Sequence, residues 1–474
     1  MISTSPTAKV LLIAGHVSLT GLLYGLDTGS IGVITQMTQF DDSIGHLSSM
    51  QQGIYVASIL LSSSVSSLTS GHVSDRISRR YGILIGSVIS LLVIAISACS
   101  RNLASLILSR LVTGVGMGQA ISVTTVYLVE IAPIAIRRVA ACFLQTYVVF
   151  GIMTGYLLHS GRRISRGVPG HGECRSSFRL VVAAVLSLGM VLVPFSPEWL
   201  AQIERSNDAK KMLFKLRPVA TVEAEFNEIR QSLDPEKQQQ TASTRRSLTG
   251  NIEVGPCWEF FSCHSSNRRG AVLRPILFQQ AGFTSQRASF LSSGVTGVVM
   301  LACTIPAQIW VDCWGRRKPL IFGGAAMAIC FIVIGSLYAG FGRTEGNEVV
   351  LASDSAGWVV IVLIYIFVAD FSWSWPVVGK IYASEVIPTR PRAKVCAVEL
   401  MANWVINFLV TFTAPLFLRA LPSGPYYFYG FSTVVAVIVC VLMPETKGHS
   451  LEHIELYRQI RSSCTQEESA AGLG

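Results

Sequence analysis

Charge is in short supply in this chain. Asp, Glu, Lys and Arg make up 14% of its 474 residues, where a soluble domain carries about a quarter. Length alone would allow about three soluble domains, and a shortage of charge on this scale excludes them. Organised cysteine is lacking too. The 11 Cys are scattered, with no CxxC pair and no His/Cys cluster, which argues against a zinc site and a disulfide framework. Cys in an apolar run behaves as a small hydrophobe. No contiguous basic helix or aromatic-interleaved basic patch accompanies the net charge of +10, so nucleic acid is not an expected partner. No Ser/His/Asp set, metal cluster or pair of catalytic carboxylates stands out, so neither an enzyme nor a cofactor is expected. No run with sheet-period alternation competes with helix.

What the chain has instead is long apolar runs. A helix needs about 20 mostly apolar residues to cross a bilayer. Runs of that order fall near 9–34, 50–70, 81–99, 103–132, 139–160, 178–196, 288–311, 319–341, 357–387, 395–418 and 425–443. The chain therefore reads as an all-α, multi-pass membrane protein with the lipid bilayer as solvent. The first run is too long for the apolar region of a cleavable signal and lacks a small-residue cleavage site, so it is expected to stay as a span.

Basic residues cluster between the runs, as they do in cytoplasmic loops. With the N-terminus inside, RISRR (76–80), IRR (136–138), the segment 198–269, GRRK (315–318), RPRAK (390–394) and the C-terminal tail are all cytoplasmic. The first external loop, QMTQFDDSIGHLSS, has no Lys or Arg. HSGRRISRGVPGHGECRSSFR (159–179), expected outside, carries five Arg that topology leaves unexplained.

The punctuation repeats. GHVSDRISRR (71–80) recurs as VDCWGRRKPL (311–320), and VEIAPIAIRR (129–138) is echoed by SEVIPTRPRAK (384–394). Such repetition implies internal duplication, a common transporter design. The expected domains are an N-terminal six-helix bundle (1–197), a cytoplasmic linker with one or two short amphipathic helices (198–269), a C-terminal bundle (270–443) and a cytoplasmic tail (444–474). In the linker, Glu223, Glu225, Glu228 and Arg230 read as a solvated helical face.

A few charges stand out against this apolar background. Asp27 lies within the first run, where a carboxylate is expensive and marks a functional site by default; the plainer alternative is a helix-end carboxylate reaching the surface. Arg110, inside the fourth run, is its natural partner. In the 71–80 stretch, Arg76, Arg79 and Arg80 could serve topology alone. That reading explains Asp75 and Gly71 poorly. Asp75 could cap a neighbouring helix N-terminus or pair with an Arg across the domain interface, and Gly71 could let two helices approach closely. The GVGMG run (114–118) lies inside a span with no preceding strand, so packing is expected of it rather than phosphate binding.

These stretches together resemble the sugar porter branch of the major facilitator superfamily. The resemblance rests on GLDTGSIG (25–32), GHVSDRISRR (71–80), SRLVTGVGMG (109–118), VYLVEIAP (126–133), FSPEWL (195–200), VDCWGRR (311–317), YASEVIPTRPRAK (382–394), ANWVINF (402–408) and PETKGHSLEHIE (444–455). GLDTGSIG looks most like fungal members for hexoses, polyols or quinate. The resemblance implies a two-bundle fold of nominally 12 transmembrane helices and transport by alternating access. It implies proton symport through Asp27 and Arg110, in a monomer of the plasma membrane with both termini cytoplasmic. It places Gln145, Asn403, Trp404 and Asn407 at the substrate, although helix–helix contact is an equal reading of Asn and Gln in a span. It assigns gating to Gly71, Asp75, Arg76, Arg79, Arg80, Glu130 with Arg137, Asp312, Gly315, Arg316, Arg317, Glu385 with Arg392, and Glu445.

The chain departs from that pattern in three places. Asp312 is followed by Cys313 where the family has Arg. Lys380 stands where similar porters have an aromatic residue; it could snorkel or meet an acidic substrate, with Trp373 or Trp375 as aromatic substitutes. Between Arg269 and Val311 there is room for one confident crossing where the family has two, so eleven complete spans are expected. FQQAGF (278–283) is either a remnant of the seventh span or the loop after it. A non-transporting sugar sensor and an inactive or incomplete porter are the rival readings.

Overall fold

A computed structural model describes residues 6–34, 45, 49–97, 102–133, 136–160, 173–232, 294–345, 348–351, 353–386, 392–421 and 423–442. The first half contains α1 (Pro6–Val17), α2 (Leu19–Ile34), α3 (Ser49–Arg76), α4 (Arg79–Ser97), α5 (Leu103–Ile131), α6 (Arg137–Ser160) and α7 (Glu173–Met190). Three short helices follow: α8 (Pro197–Gln202), α9 (Ser206–Leu216) and α10 (Val219–Ser232). The second half contains α11 (Thr296–Trp314), α12 (Arg317–Phe341), α13 (Asp354–Trp373), α14 (Trp375–Val386), α15 (Arg392–Ala420) and α16 (Gly424–Leu442). Among the described residues, nine helical stretches are long and apolar enough to cross a membrane, and two shorter apolar ones are Phe178–Met190 and Thr296–Trp310. The expected seventh crossing and FQQAGF lie outside the described residues, as does the tail with Glu445.

The apolar runs form the expected helices, with two breaks. The first run divides at Ser18 into α1 and α2. The run at 357–387 divides at Ser374 (φ −103°, ψ −80°) into α13 and α14. The second break has a cause two residues on, because Pro376 lacks an N–H and crowds the preceding turn. An antiparallel hairpin not foreseen from the sequence, β1 (Gly342–Glu345) with β2 (Glu348–Leu351), joins α12 to α13, pairing Gly342 with Leu351 and Glu345 with Glu348.

Each half supplies most of one core, with Cys142 and Val149 of α6 joining the second and Trp404 of α15 the first. Leu23, Leu26, Ile83, Met117, Tyr127, Leu128 and Leu186 fill the first bundle. Met327, Ile334, Val360, Val368, Trp375 and Ile381 fill the second. Glycine sets the closest approaches. A Cβ on Gly21 of α2 would lie 2.6 Å from the Leu144 carbonyl oxygen of α6, so these helices meet backbone to backbone, as small residues allow in membranes. The serine run of α3 pairs with GVGMG of α5. Ser63 Oγ donates to the Gly114 carbonyl at 3.0 Å, Ser66 Oγ to Val115 at 2.6 Å and Ser67 Oγ to Gly118 at 3.3 Å. These bonds show GVGMG in a packing role.

Several contacts join the bundles, two of them through Gly71 and Gln308. Gly71 of α3 faces α15, where an added Cβ would lie 3.0 Å from the Ala393 carbonyl oxygen. Gln308 of α11 donates Nε2 to Thr146 Oγ1 of α6 at 2.6 Å and to the Cys142 carbonyl at 3.3 Å.

The linker holds three described helices rather than one or two, and they dock on the first bundle. Buried Arg217 donates to the Ile131 carbonyl at 2.9 Å and grips Glu225 with two bonds of 2.7 and 2.8 Å. Glu225 therefore does not belong to a solvated face; Glu223, Glu228 and Arg230 do lie exposed, Glu223 pairing with Lys210 at 2.5 Å.

Candidate functional site

The first constellation centres on Asp27, which is 4% exposed among α2, α5 and α7. Arg110 Nη1 of α5 donates to Asp27 Oδ2 at 2.5 Å. Arg179 Nη2 of α7 donates to Asp27 Oδ1 at 2.5 Å. Each carboxylate oxygen thus holds its own guanidinium. Arg110 also lies over the Tyr55 ring of α3, 5.0 Å from its centroid, an attraction between cation and ring face. The structure brings Asp27 and Arg110 together as expected and excludes a surface-seeking Asp27. The second cation was not foreseen, and it accounts for one of the five arginines in 159–179. Arg179 is the last of that cluster and lies inside α7, at the start of its apolar stretch.

One helical turn before Asp27, Tyr24 meets the indole of Trp404 edge-on, with ring centroids 5.2 Å apart at 84°. Trp404 belongs to α15 of the second bundle yet is 2% exposed within the first bundle's core. Asn403 and Asn407 stand beside it in the helix. Asn407 Nδ2 donates to the Asn403 carbonyl at 2.8 Å and to Asn403 Oδ1 at 2.9 Å. Gln145 is buried on α6. All four expected substrate residues are therefore interior, and Trp404 joins that group to the helix carrying Asp27. Glu399, one turn before Asn403, is a further buried acid that the sequence reading passed over.

The second constellation lies at the expected cytoplasmic side. Arg79, 1% exposed at the start of α4, bonds Asp75 Oδ1 at 2.6 Å, Glu130 Oε1 at 3.1 Å, the Ser74 carbonyl at 3.0 Å and Gln202 Oε1 at 3.3 Å. One cation thus serves two carboxylates. Asp75 meets Arg79 of its own bundle, and Glu130 meets the same arginine. Arg76 is exposed and Arg137 half-buried at the start of α6. Trp199 of FSPEWL donates Nε1 to the Asp75 carbonyl at 3.0 Å, which explains the aromatic residue in that motif. Gln202 and Trp199 were missed because they follow the last apolar run of the bundle and read as linker.

The repeat at 311–320 copies this turn. Ser78 before Arg79 and Gly315 before Arg316 both have positive φ, 149° and 81°; glycine suits such a turn without a side-chain clash. Arg79 and Arg316 are both fully buried. Arg80 donates to the Met190 carbonyl at 3.0 Å and to the Val191 carbonyl, at the end of the first bundle's last helix. Arg317 donates to the Val441 carbonyl, at the end of the second bundle's last helix. The side chains of Asp312, Lys380, Glu385 and Arg392 lie outside the described residues. Trp375 is core, and Trp373 donates its indole N–H to Asp370 Oδ1 at 2.9 Å.

A family model described as sugar (and other) transporter matches residues 13–457. The arabinose-proton symporter of Bacillus subtilis (strain 168) is 29% identical over 454 residues, covering 94% of each chain. The galactose-proton symporter of Escherichia coli (strain K12) is 27% identical over 459 residues, covering 95% of each. A solved structure of the proton:xylose symporter XylE bound to 6-bromo-6-deoxy-D-glucose matches with a TM-score of 0.80 at 23% identity, covering 96% of this chain and 100% of that one.

Proposed function

The chain belongs to the sugar (and other) transporter family of the major facilitator superfamily, and from that membership we propose that it imports a sugar or related polyol together with a proton. It is an integral membrane transport protein and not an enzyme. The observation that carries the proton-coupled reading is the Asp27 carboxyl, buried and shared by Arg110 and Arg179 one turn from the Tyr24–Trp404 contact.

The geometry gives a mechanism. Ionised Asp27 ties α2 to α5 and α7 through two charge-assisted bonds, which are stronger than neutral ones. A proton taken from the outside cancels the carboxylate charge and loosens both ties. α2 is then free to shift against its neighbours, and Tyr24 shifts with it. Because Tyr24 abuts Trp404, the change reaches α15 and the residues proposed to hold substrate. Gln145, Asn403 and Asn407 supply donors and acceptors for hydroxyl groups, and Trp404 supplies a face for the ring. Asn407 exchanges its bond to Asn403 for one to the sugar. Protonation and substrate thus bias one arrangement over the other, and the two bundles rock about the site between them.

On the cytoplasmic side, Arg79 with Asp75 and Glu130, and the close approach of Gly71 to Ala393, act as the latch that opens in the inward-facing state. The protein works as a monomer in the plasma membrane, with both termini in the cytoplasm.

Uptake of radiolabelled arabinose, xylose, galactose, glucose, polyols and quinate, in cells without their own porters and at several pH values, tests this reading. The expected result is uptake that rises with an inward proton gradient, and an Asp27→Asn variant that loses proton-driven accumulation at least about tenfold, the equivalent of ~1.4 kcal/mol, while still exchanging substrate at equilibrium. Uptake indifferent to pH, or untouched by Asp27→Asn, would make it a passive facilitator.

A further inference from the structure

We propose that Asp370 is a second proton-binding carboxyl, separate from Asp27 and built into the second bundle at the break between α13 and α14. The inference does not depend on Asp27 or on which solute is carried. It begins with placement. Asp370 lies in a helix otherwise apolar for most of its length, and is 9% exposed. It stands four residues before Ser374, where the helix breaks. Its backbone carbonyl accepts from both Ser374 N at 3.2 Å and Ser374 Oγ at 2.7 Å. The backbone of Asp370 is therefore tied to the residue at which α13 turns into α14, and its carboxyl to Trp373 just before that residue.

The surroundings hold the carboxyl as an acid. Oδ1 accepts from the Trp373 indole at 2.9 Å. Oδ2 is buried and has no hydrogen-bond partner among the described residues. On α12, Gly323 packs directly against the Ser374 side chain, where an added Cβ would clash with Ser374 Oγ and lie 3.4 Å from Asp370 Oδ1, and Cys330 is a titratable group within electrostatic reach. On α11, Trp314 packs edge-on against Trp373 with centroids 5.3 Å apart. Ser374 at the break and Trp375 at the start of α14 follow in the chain. Among the described side chains no Lys, Arg or His faces Asp370.

Among the described residues, an ionised carboxylate in that position has one indole donor and no counter-charge. A charge inside a membrane helix is costly, and more so when it is unpaired inside protein. A proton on Oδ2 removes that charge and leaves Oδ1 as acceptor for Trp373. The step is an acid–base equilibrium with solvent: the O–H bond forms with a proton from water and breaks to return one. Because the carboxyl sits at the helix break, a change of angle between α13 and α14 alters its access to water. Proton occupancy at Asp370 and the angle of that break are thereby linked.

Infrared difference spectroscopy on the full chain in lipid nanodiscs tests this directly. The carbonyl stretch of a neutral carboxylic acid is expected in the wild-type protein at neutral pH, lost in Asp370→Asn and kept in Asp27→Asn. Trp373→Phe leaves the carboxyl but removes its donor, and is expected to shift the frequency of the same band. That variant keeps the proposal testable if Asp370→Asn fails to fold. A wild-type spectrum without the band, or a band unmoved by both Asp370→Asn and Trp373→Phe, would overturn the proposal. Neither result bears on the Asp27 reading, which stands or falls on the pH dependence of uptake.

Discussion

Asp27 and Asp370 are both carboxyls sunk among apolar helices, 4% and 9% exposed, but their neighbours have little in common. Asp27 sits between three helices and receives a guanidinium on each oxygen. Asp370 receives a single indole N–H, and its other oxygen has no partner among the described residues. The first bundle keeps its acid by supplying more positive charge than the acid can neutralise. The second keeps its acid by holding it uncharged. The two solutions differ mechanically as well. The Asp27 bonds tie separate helices together, so losing the charge loosens a bundle. The Asp370 bonds run to residues three and four positions along the same chain, so a change there is felt at one helix break.

The largest expected effect comes from making the same substitution at both sites. Asp27→Asn strands the buried Arg110 guanidinium and the partly exposed one of Arg179, and breaking a buried charge pair in this way is expected to lower stability by about 2–4 kcal/mol. Asp370→Asn replaces a neutral acid by a neutral amide and should stay within about 1 kcal/mol of wild type. Thermal unfolding of the two variants in detergent, followed by circular dichroism, measures the difference. Equal losses would erase the distinction between the sites.

Next in size is the sharing of Asp27 between its two cations. Arg110→Gln and Arg179→Gln each leave the carboxylate with one guanidinium, whereas the double variant leaves it with none. Residues in one network are not additive. The double variant is therefore expected to fall below the sum of the singles by about 0.5–3 kcal/mol. Strict additivity would mean that the two arginines act independently and that one of them is only a packing neighbour.

How far these sites could be read beforehand follows from the same comparison. Asp27 and Arg110 were legible because a charge inside an apolar run is rare, and two such charges in neighbouring spans invite pairing. Arg179 was not, because it closes a loop with four other arginines and looked like part of that loop. Asp370 was masked by its surroundings in another way: Lys380 and the two nearby tryptophans drew the reading toward the far end of the span. The helices themselves follow from run length, since a chain in lipid must satisfy its backbone internally. Their interruptions divide by cause. The break at Ser374 has Pro376 behind it, whereas Ser18 has neither Pro nor a charge beside it, and only tertiary packing distinguishes it from its neighbours. The docking of α8 to α10 was also out of reach, because Gln202, Trp199 and Arg217 act on partners far away in sequence.

The smallest predicted effect concerns a place where the bundles are alike. Arg80 and Arg317 both close the C-terminal end of their bundle's last helix. A cation there meets unpaired carbonyls and the negative end of the helix dipole, worth about 0.3–1 kcal/mol. Arg80→Gln and Arg317→Gln should each cost about that much. The Arg80 guanidinium also lies over the Phe195 ring at 5.0 Å and near Tyr81 at 5.5 Å. The Phe195 contact adds about 0.5–1 kcal/mol, so the cost of Arg80→Gln is expected to shrink by about that much in a Phe195→Leu background. If Phe195→Leu leaves the cost of Arg80→Gln unchanged, the ring contact contributes nothing. The bundles' difference would then be confined to the acids they bury, and would not extend to the turns they share.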